Sequence, residues 1–271
     1  MNKNVKAPLS FVRMATTTST NDSGLLPYLR TGFSLAYPQY YLTWVSVGSG
    51  RALELGREGA VDVCFTHAPE LENVFIADDF AENPAYVMYN EFIGLGPSAS
   101  SVVPPGSLTA LFAHIHANHL PFLSRGDISG THLRELEIWA DLHIVPTTNP
   151  NYRVSGTGMS ATIHEAALYN MYTLSDNATW FKDKTDDAFV NYRLHQVTTP
   201  QVPPEGFAMN QYTILPINPD ADFIMPPIEP FNSAGAQAFR NWLLTGAAQT
   251  IINGYLIGGQ QVFIWNAAPR P

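Results

Sequence analysis

A chain of 271 residues with 45% hydrophobic content can bury a sizeable core, as one large domain or two small ones. No apolar run approaches the length of about 18 residues that a membrane helix needs, so no membrane span is encoded. A net charge of −9 excludes a phosphate-backbone surface and hence a nucleic-acid partner, and it means that any bound anion is held by local dipoles and one or two placed cations against the overall field.

Along the chain, apolar strands alternate with loops rich in Gly, Ser and Thr that open helices. Leu9–Met14 reads as a strand, Ala15–Ser23 as a hydroxyl-rich loop and Gly24–Ala36 as an amphipathic helix. Tyr41–Val47 is a strand, Gly48-Ser49-Gly50 a turn, Arg51–Glu58 a helix and Val61–Phe65 a short buried strand. This βαβαβ half calls for a parallel sheet with helices on its faces. A strand at Phe92–Leu95 leads into Gly96-Pro97 and a polar stretch to Gly106, the expected crossing between two lobes. Beyond it come a helix at Leu108–Ala117, a strand at Pro121–Ser124 and a helix at Leu133–Leu142 that Thr131 can cap. A strand at Tyr152–Val154, a helix at Ala161–Tyr169 and a strand at Tyr172–Leu174 complete the second half. After a Pro-rich linker at Thr199–Glu205, Tyr212–Ile217 reads as a strand returning to the first lobe. Ala234–Ile252 reads as one long helix, and Val262–Trp265 as a short strand. The expected division is therefore lobe I at 1–96 plus 210–271, and lobe II at 97–209.

Four strand-to-helix loops share one chemistry: Thr16-Thr17-Thr18-Ser19, Gly48-Ser49-Gly50, Arg125 through Thr131, and Ser155-Gly156-Thr157-Gly158-Met159. Each would set hydroxyls and free backbone N–H groups at a helix N-terminus, where the unpaired donors and the helix dipole favour an anion. In open α/β sheets such loops gather at the carboxyl ends of the strands. A single loop of this kind is usually an ordinary cap; four of them, two from each lobe, point to an anion in the cleft. Arg125 is the cation among them, and Asp127 is expected to orient it through an ion pair.

Other constellations carry less. His114, His116 and His119 are spaced i, i+2, i+5, which does not bring three imidazoles to one helix face, so a solvated patch is favoured over zinc. Ser129, His132 and Asp127 crowd into one turn without a nucleophile elbow, so no hydrolase is expected. Glu135 and Glu137 fall on different helix faces and form no acid/base pair. Cys64, the single cysteine, reads as a buried inert thiol. The opening Met1–Lys6 is polar with two lysines; together with 21 Pro, 19 Gly and only 14% charged residues, it suggests an extracytoplasmic or secreted protein whose leader lies outside this sequence. The sequons Asn21-Asp22-Ser23 and Asn177-Ala178-Thr179 fit that location.

The words Ala15 to Thr20 with Asp22 to Leu26, Val47 to Gly56, Ala60 to Val63 leading to His67-Ala68-Pro69-Glu70, Val87 to Phe92, Ser124 to His132 and Gly156 to Met159 keep one order over roughly residues 10–175. In them the sequence resembles the tungstate-binding substrate-binding proteins of ABC uptake systems. The resemblance implies an α/β type II periplasmic-binding-protein-like fold: two α/β lobes with a hinge, and a ligand cleft between them. It implies that Thr17, Thr18, Ser19, Ser49, Gly50, Arg125, Ser129, Gly130, Thr131, Thr157 and Gly158 line the pocket, with Asp127 behind Arg125. It also implies a monomer that takes a tungstate or molybdate oxyanion without a cofactor or catalysis, with an ABC permease as partner. Ser49 stands where the family often has Thr, and Ser160 where a small Gly is usual. A phosphate or sulfate receptor, or a secreted protein or enzyme that kept the fold for another purpose, stays open; phosphate would require Asp127 to face the ligand.

Overall fold

The computed structural model describes residues 9–97, 107–185, 194–198, 206–223 and 229–270. The polar opening, the stretch from 98 to 106 and the Pro-rich linker lie outside the described residues.

The first half begins with β1 (Ser10–Thr17), a short α1 (Thr18–Asp22), α2 (Leu26–Ala36), β2 (Tyr40–Val47), α3 (Ser49–Arg57), β3 (Val63–Thr66), α4 (Pro69–Ala77) and the long β4 (Ala85–Pro97). The second half holds α5 (Leu108–Ala117), β5 (Phe122–Ser124), α6 (Gly130–Asp141), β6 (Tyr152–Val154), α7 (Met159–Leu168), β7 (Thr173–Asp176), α8 (Asn177–Asp183) and β8 (Leu194–Gln196). The chain then returns through β9 (Met209–Pro216), α9 (Ser233–Leu243), α10 (Gly246–Gly254), a hairpin of β10 (Leu256–Ile257) and β11 (Gln260–Gln261), and β12 (Ile264–Pro269).

The parallel sheet expected from the first βαβαβ run is present: β1 pairs parallel with β2 and β3. The sheet then continues antiparallel through β9, β4 and β12. β4 serves both halves. Ala85 to Glu91 pair with β9, whereas Phe92 to Leu95 pair with β7 and Leu95 to Pro97 with β8. The change of neighbours falls between Glu91 and Phe92, and the strand runs unbroken through Gly94 and Gly96.

Each half has its own buried apolar clusters. In the first, Val12, Met14 and Val63 pack on Leu26 and Phe33 of α2 and Phe239, Trp242 and Ile252 of α9 and α10. On the opposite face Ala15, Cys64 and Leu215 meet Leu53 of α3 and Phe75 of α4. In the second half Phe112, Phe122 and Trp139 form one cluster, and Met159, Ile163 and Trp180 another. Cys64 is fully buried, donates to the Ala52 carbonyl and has its pKa pushed up to about 12 by that burial, so it is an inert thiol.

Two expectations need correction, and the sequon residues take structural partners. The long C-terminal helix is two helices: Thr245 adopts extended backbone at φ −95°, ψ 160° and its hydroxyl turns back to the Trp242 carbonyl. The apolar period runs on past the break, which is why the sequence reads as one helix. α6 begins earlier than expected; Ser129, not Thr131, is its N-cap and accepts from His132 N at 3.2 Å. The sequons are used structurally. Asn21 accepts from the Trp44 indole, and the Thr179 hydroxyl is buried against Asp176.

Glu135 on α6 is 2% exposed and accepts from the Trp139 indole at 3.2 Å and the Tyr152 hydroxyl at 2.8 Å. Burial outweighs these donors and raises its pKa to about 7. The folded chain therefore holds a proton that the unfolded chain releases near pH 4.3. That stability is fully present below the unfolded pKa and is lost as pH rises to about 7, on the order of 3 kcal/mol. Urea unfolding is expected to show this decline, and Glu135→Gln to flatten it. An unchanged pH slope in the variant would rule out a raised Glu135.

Candidate functional site

Elements that begin at the loops singled out in the sequence meet where the two halves face each other. α1 packs against α7 and α8. A β-carbon built on Gly50 would lie 3.7 Å from Ile128, and one on Gly48 3.9 Å from the Asp127 carbonyl. Gly130 is closer still: its β-carbon would stand 2.7 Å from both the carbonyl oxygen and Nδ1 of His67. The starts of α3 and α6 thus come together across the junction, with the β3–α4 turn between them.

At that meeting point lie buried polar atoms with no hydrogen-bond partner among the described residues: Ser49 Oγ, Thr131 Oγ1 and Arg125 Nε. Ser49 is the first residue of α3, and its N-cap Gly48 offers no side chain to the helix start. Gly130 and Thr131 are the first two residues of α6. Buried donors left unpaired cost about 1–3 kcal/mol each, so a cluster of them at two helix N-termini fits an acceptor-rich ligand.

Arg125 is 3% exposed. Its Nη2 donates to Asp127 Oδ2 at 2.5 Å, and Asp127 Oδ1 accepts from Ser129 N at 3.2 Å. Both oxygens of this carboxylate are engaged behind the guanidinium. The surrounding turn is tight: Gly126 sits at φ +65° with Val154 filling its β-carbon position, and Ile128 is at φ +56°. His132 Nδ1 accepts from Ile128 N, so its ring supports the turn and does not reach Ser129 Oγ as a base.

The other sites divide. Thr17 caps α1, accepting from Thr20 N, and its hydroxyl lies 2.6 Å from Thr20 Oγ1. Ser19 is buried and lies 3.3 Å from His67 Nε2, whereas Thr18 is half-buried. Ser129 spends one lone pair on the α6 cap and keeps its O–H. The fourth loop stands apart: Thr157 and Gly158 are exposed, and the Thr157 hydroxyl is 2.5 Å from Ser155 Oγ. Ser160 ties α7 to α8 by donating to Asp183 at 2.8 Å.

Two residues that the sequence did not single out belong here. His67, 3% exposed, follows β3 and stacks on Tyr212 with ring centroids 4.8 Å apart. Burial first, then the Arg125 cation, lower its pKa to about 4, so the imidazole is neutral at pH 7. Asp176, fully buried, caps α8 through Thr179 N at 2.9 Å and Thr179 Oγ1 at 2.7 Å; burial raises its pKa, with Arg125 among the groups opposing the shift. His67 had a signal, since it ends a strand just before a Pro-started helix, the same strand–loop–helix grammar as the four loops but without Gly, Ser or Thr. Asp176 had none in its neighbours.

His114, His116 and His119 do not assemble a site. His114 Nδ1 lies 3.2 Å from Asn118, and no group of three metal-ligating side chains occurs among the described residues.

The profile of the PBP superfamily domain matches residues 6–246. The tungstate-binding protein TupA of Peptoclostridium acidaminophilum is 34% identical over 250 residues, covering 89% of this chain and 80% of its own length. The chain belongs to the PBP superfamily, in the family of the TupA tungstate-binding proteins. TupA of Campylobacter jejuni is 30% identical, with 93% of this chain and 90% of that protein aligned. Among solved structures, the tungstate-binding TupA of Desulfovibrio alaskensis G20 superposes with a TM-score of 0.80 at 32% identity, covering 96% of this chain and 100% of that one. The Geobacter sulfurreducens tungstate ABC transporter structure gives 0.74 at 31% identity, covering 90% and 98%. The fold of this TupA-family chain is accordingly type II periplasmic-binding-protein-like.

Proposed function

We propose that this chain is a receptor that captures tungstate or molybdate by lobe closure and delivers it to an ABC permease, without acting on it chemically. The observation that carries this reading is the buried Arg125 at the meeting of the α3 and α6 helix starts, flanked by the unpartnered Ser49 and Thr131 hydroxyls. We place the lobe boundaries between Glu91 and Phe92 on β4 and at the start of β9. Lobe I supplies Ser49 and Gly50, with Thr18 beside them. Lobe II supplies Arg125, Ser129, Gly130 and Thr131. Thr17 and Ser19 shape the lobe I wall, and Thr157 and Gly158, from lobe II, form the rim of the cleft.

The donor set favours a fully ionised anion. Phosphate near pH 7 carries a proton and needs an acceptor. Asp127 has both oxygens engaged, and Asp176 is committed to the α8 cap. Closure follows because both lobes donate to one anion, so the anion binds the closed form more tightly than the open one. The related TupA proteins support tungstate as the ligand, and the Haloferax volcanii putative ABC transporter anion-binding protein, 34% identical over 256 residues, supports the permease partner. An extracytoplasmic location and a monomeric state accord with that role.

Isothermal titration of anion-stripped chain at neutral pH tests the reading. One-to-one binding of tungstate or molybdate with sulfate and phosphate much weaker is expected. Preferential phosphate binding would turn Asp127 toward the ligand, and silence toward all four anions would end the receptor reading.

A further inference from the structure

His67 combines three features that no anion receptor needs for folding alone. It is buried at the lobe junction, its Nδ1 faces the first turn of α6, and that nitrogen has no hydrogen-bond partner among the described residues. Its other nitrogen, Nε2, lies 3.3 Å from Ser19 Oγ. The ring is held between Tyr212 of β9, with centroids 4.8 Å apart, and Phe92 of β4, 6.4 Å away. β4 runs on into lobe II, and β9 begins where the chain returns to lobe I. Resting on the receptor reading above, we propose that His67 is a ligand-binding residue that donates its Nδ1–H to the bound oxyanion, with Ser19 as the positioning residue that fixes the tautomer.

The chemistry follows from counting donors. A neutral imidazole has one N–H and one lone pair. The ionisable groups acting on the ring are Arg125 and Arg134, both cations, and neither favours a second proton on it; the Asn210 side chain is the other polar group within reach of the ring. A tetrahedral dianion offers only acceptors, so the nitrogen facing it must carry the hydrogen. Nε2 is then the acceptor, and the Ser19 hydroxyl donates into it. Ser19 therefore serves the anion through His67, and its own O–H is not free for the ligand. The ring also explains Gly130. A side chain there would occupy the space that His67 Nδ1 and the His67 carbonyl already fill.

Side-chain amides separate the two nitrogens. Asn places its amide near the Nδ1 position and Gln near Nε2. Sodium tungstate is titrated into the full chain and into His67→Asn, His67→Gln and His67→Phe, with the thermal midpoint of each anion-free variant measured alongside. His67→Asn is expected to stay within about threefold of wild type, and His67→Gln and His67→Phe to weaken by about 10- to 100-fold, the loss of one hydrogen bond to a charged group. The anion-free wild type should show the Nδ1–H tautomer in its imidazole 15N spectrum. Wild-type binding with His67→Gln unimpaired, or an Nε2–H tautomer, overturns the assignment and leaves the receptor reading standing. A wild type silent toward tungstate overturns both.

Discussion

Arg125→Ala is expected to weaken tungstate binding by about 2–4 kcal/mol, the loss of a charge-assisted contact in a water-poor site. The chain carries −9 overall, so nothing but local donors offsets the repulsion of an anion, and Arg125 is the buried cation at the junction. One guanidinium arm is taken by Asp127, while Nε keeps its hydrogen unpaired. Removing the side chain also leaves Asp127 without its partner. That carboxylate is 22% exposed, so water can compensate in part and the anion-free fold should lose less than the affinity does. Arg125→Lys keeps the charge but not the planar fork and should fall between the two. Titration of the variants with thermal unfolding beside it separates the effects. Unchanged affinity in Arg125→Ala would remove the residue from the site.

Gly130→Ala should act with opposite signs on folding and on binding. Gly130 is the first residue of α6 with ordinary helical backbone, so alanine should leave the anion-free chain as stable or up to about 1 kcal/mol more stable. Its new β-carbon would meet the His67 carbonyl oxygen and ring at 2.7 Å, which backbone cannot yield cheaply. Gly130 and His67 belong to different proposed lobes, so a form with the lobes apart would escape the clash. We expect tungstate affinity to drop about 100-fold or more, a cost of about 3 kcal/mol of the kind that overpacking imposes. X-ray scattering should show no compaction on adding the anion. Wild-type affinity in this variant would mean that the lobes close without bringing Gly130 against His67.

Much of this was legible from the chain because local chemistry and architecture agree. Ser49, Arg125, Ser129, Gly130 and Thr131 stand at the ends of apolar strands and the starts of helices, and that grammar names both the fold and the anion preference. The elements at Leu108–Ala117 and Tyr152–Val154 carry the limits read from the sequence. What escaped reading depends on distant partners. β4 is a strand of 13 residues because β9, β7 and β8 come from the far side of the sequence to pair with it; by pattern alone only Phe92–Leu95 stood out. α4 was missed because its apolar positions follow Pro69-Glu70 with little periodicity. His67 gains its place from Gly130, and Asp176 from Asn90, neither of which its own segment of strand announces. Thr157 and Gly158 are the reverse case, plain in the sequence but exposed in the fold. Their Gly-Thr-Gly signature is the plainest in the sequence, yet the loop is exposed, because Gly156 at φ +71° turns it outward and Ser155 holds the Thr157 hydroxyl.

Crystals grown with sodium tungstate and measured at a tungsten absorption edge place the ion without reference to any side chain. The anomalous map should show one strong peak within hydrogen-bond reach of Arg125, Ser49 and Thr131, at the joined starts of α3 and α6. A dominant peak elsewhere, at the exposed histidines of α5 for instance, or no peak in protein that titration shows to be loaded, would contradict capture of the anion between the lobes.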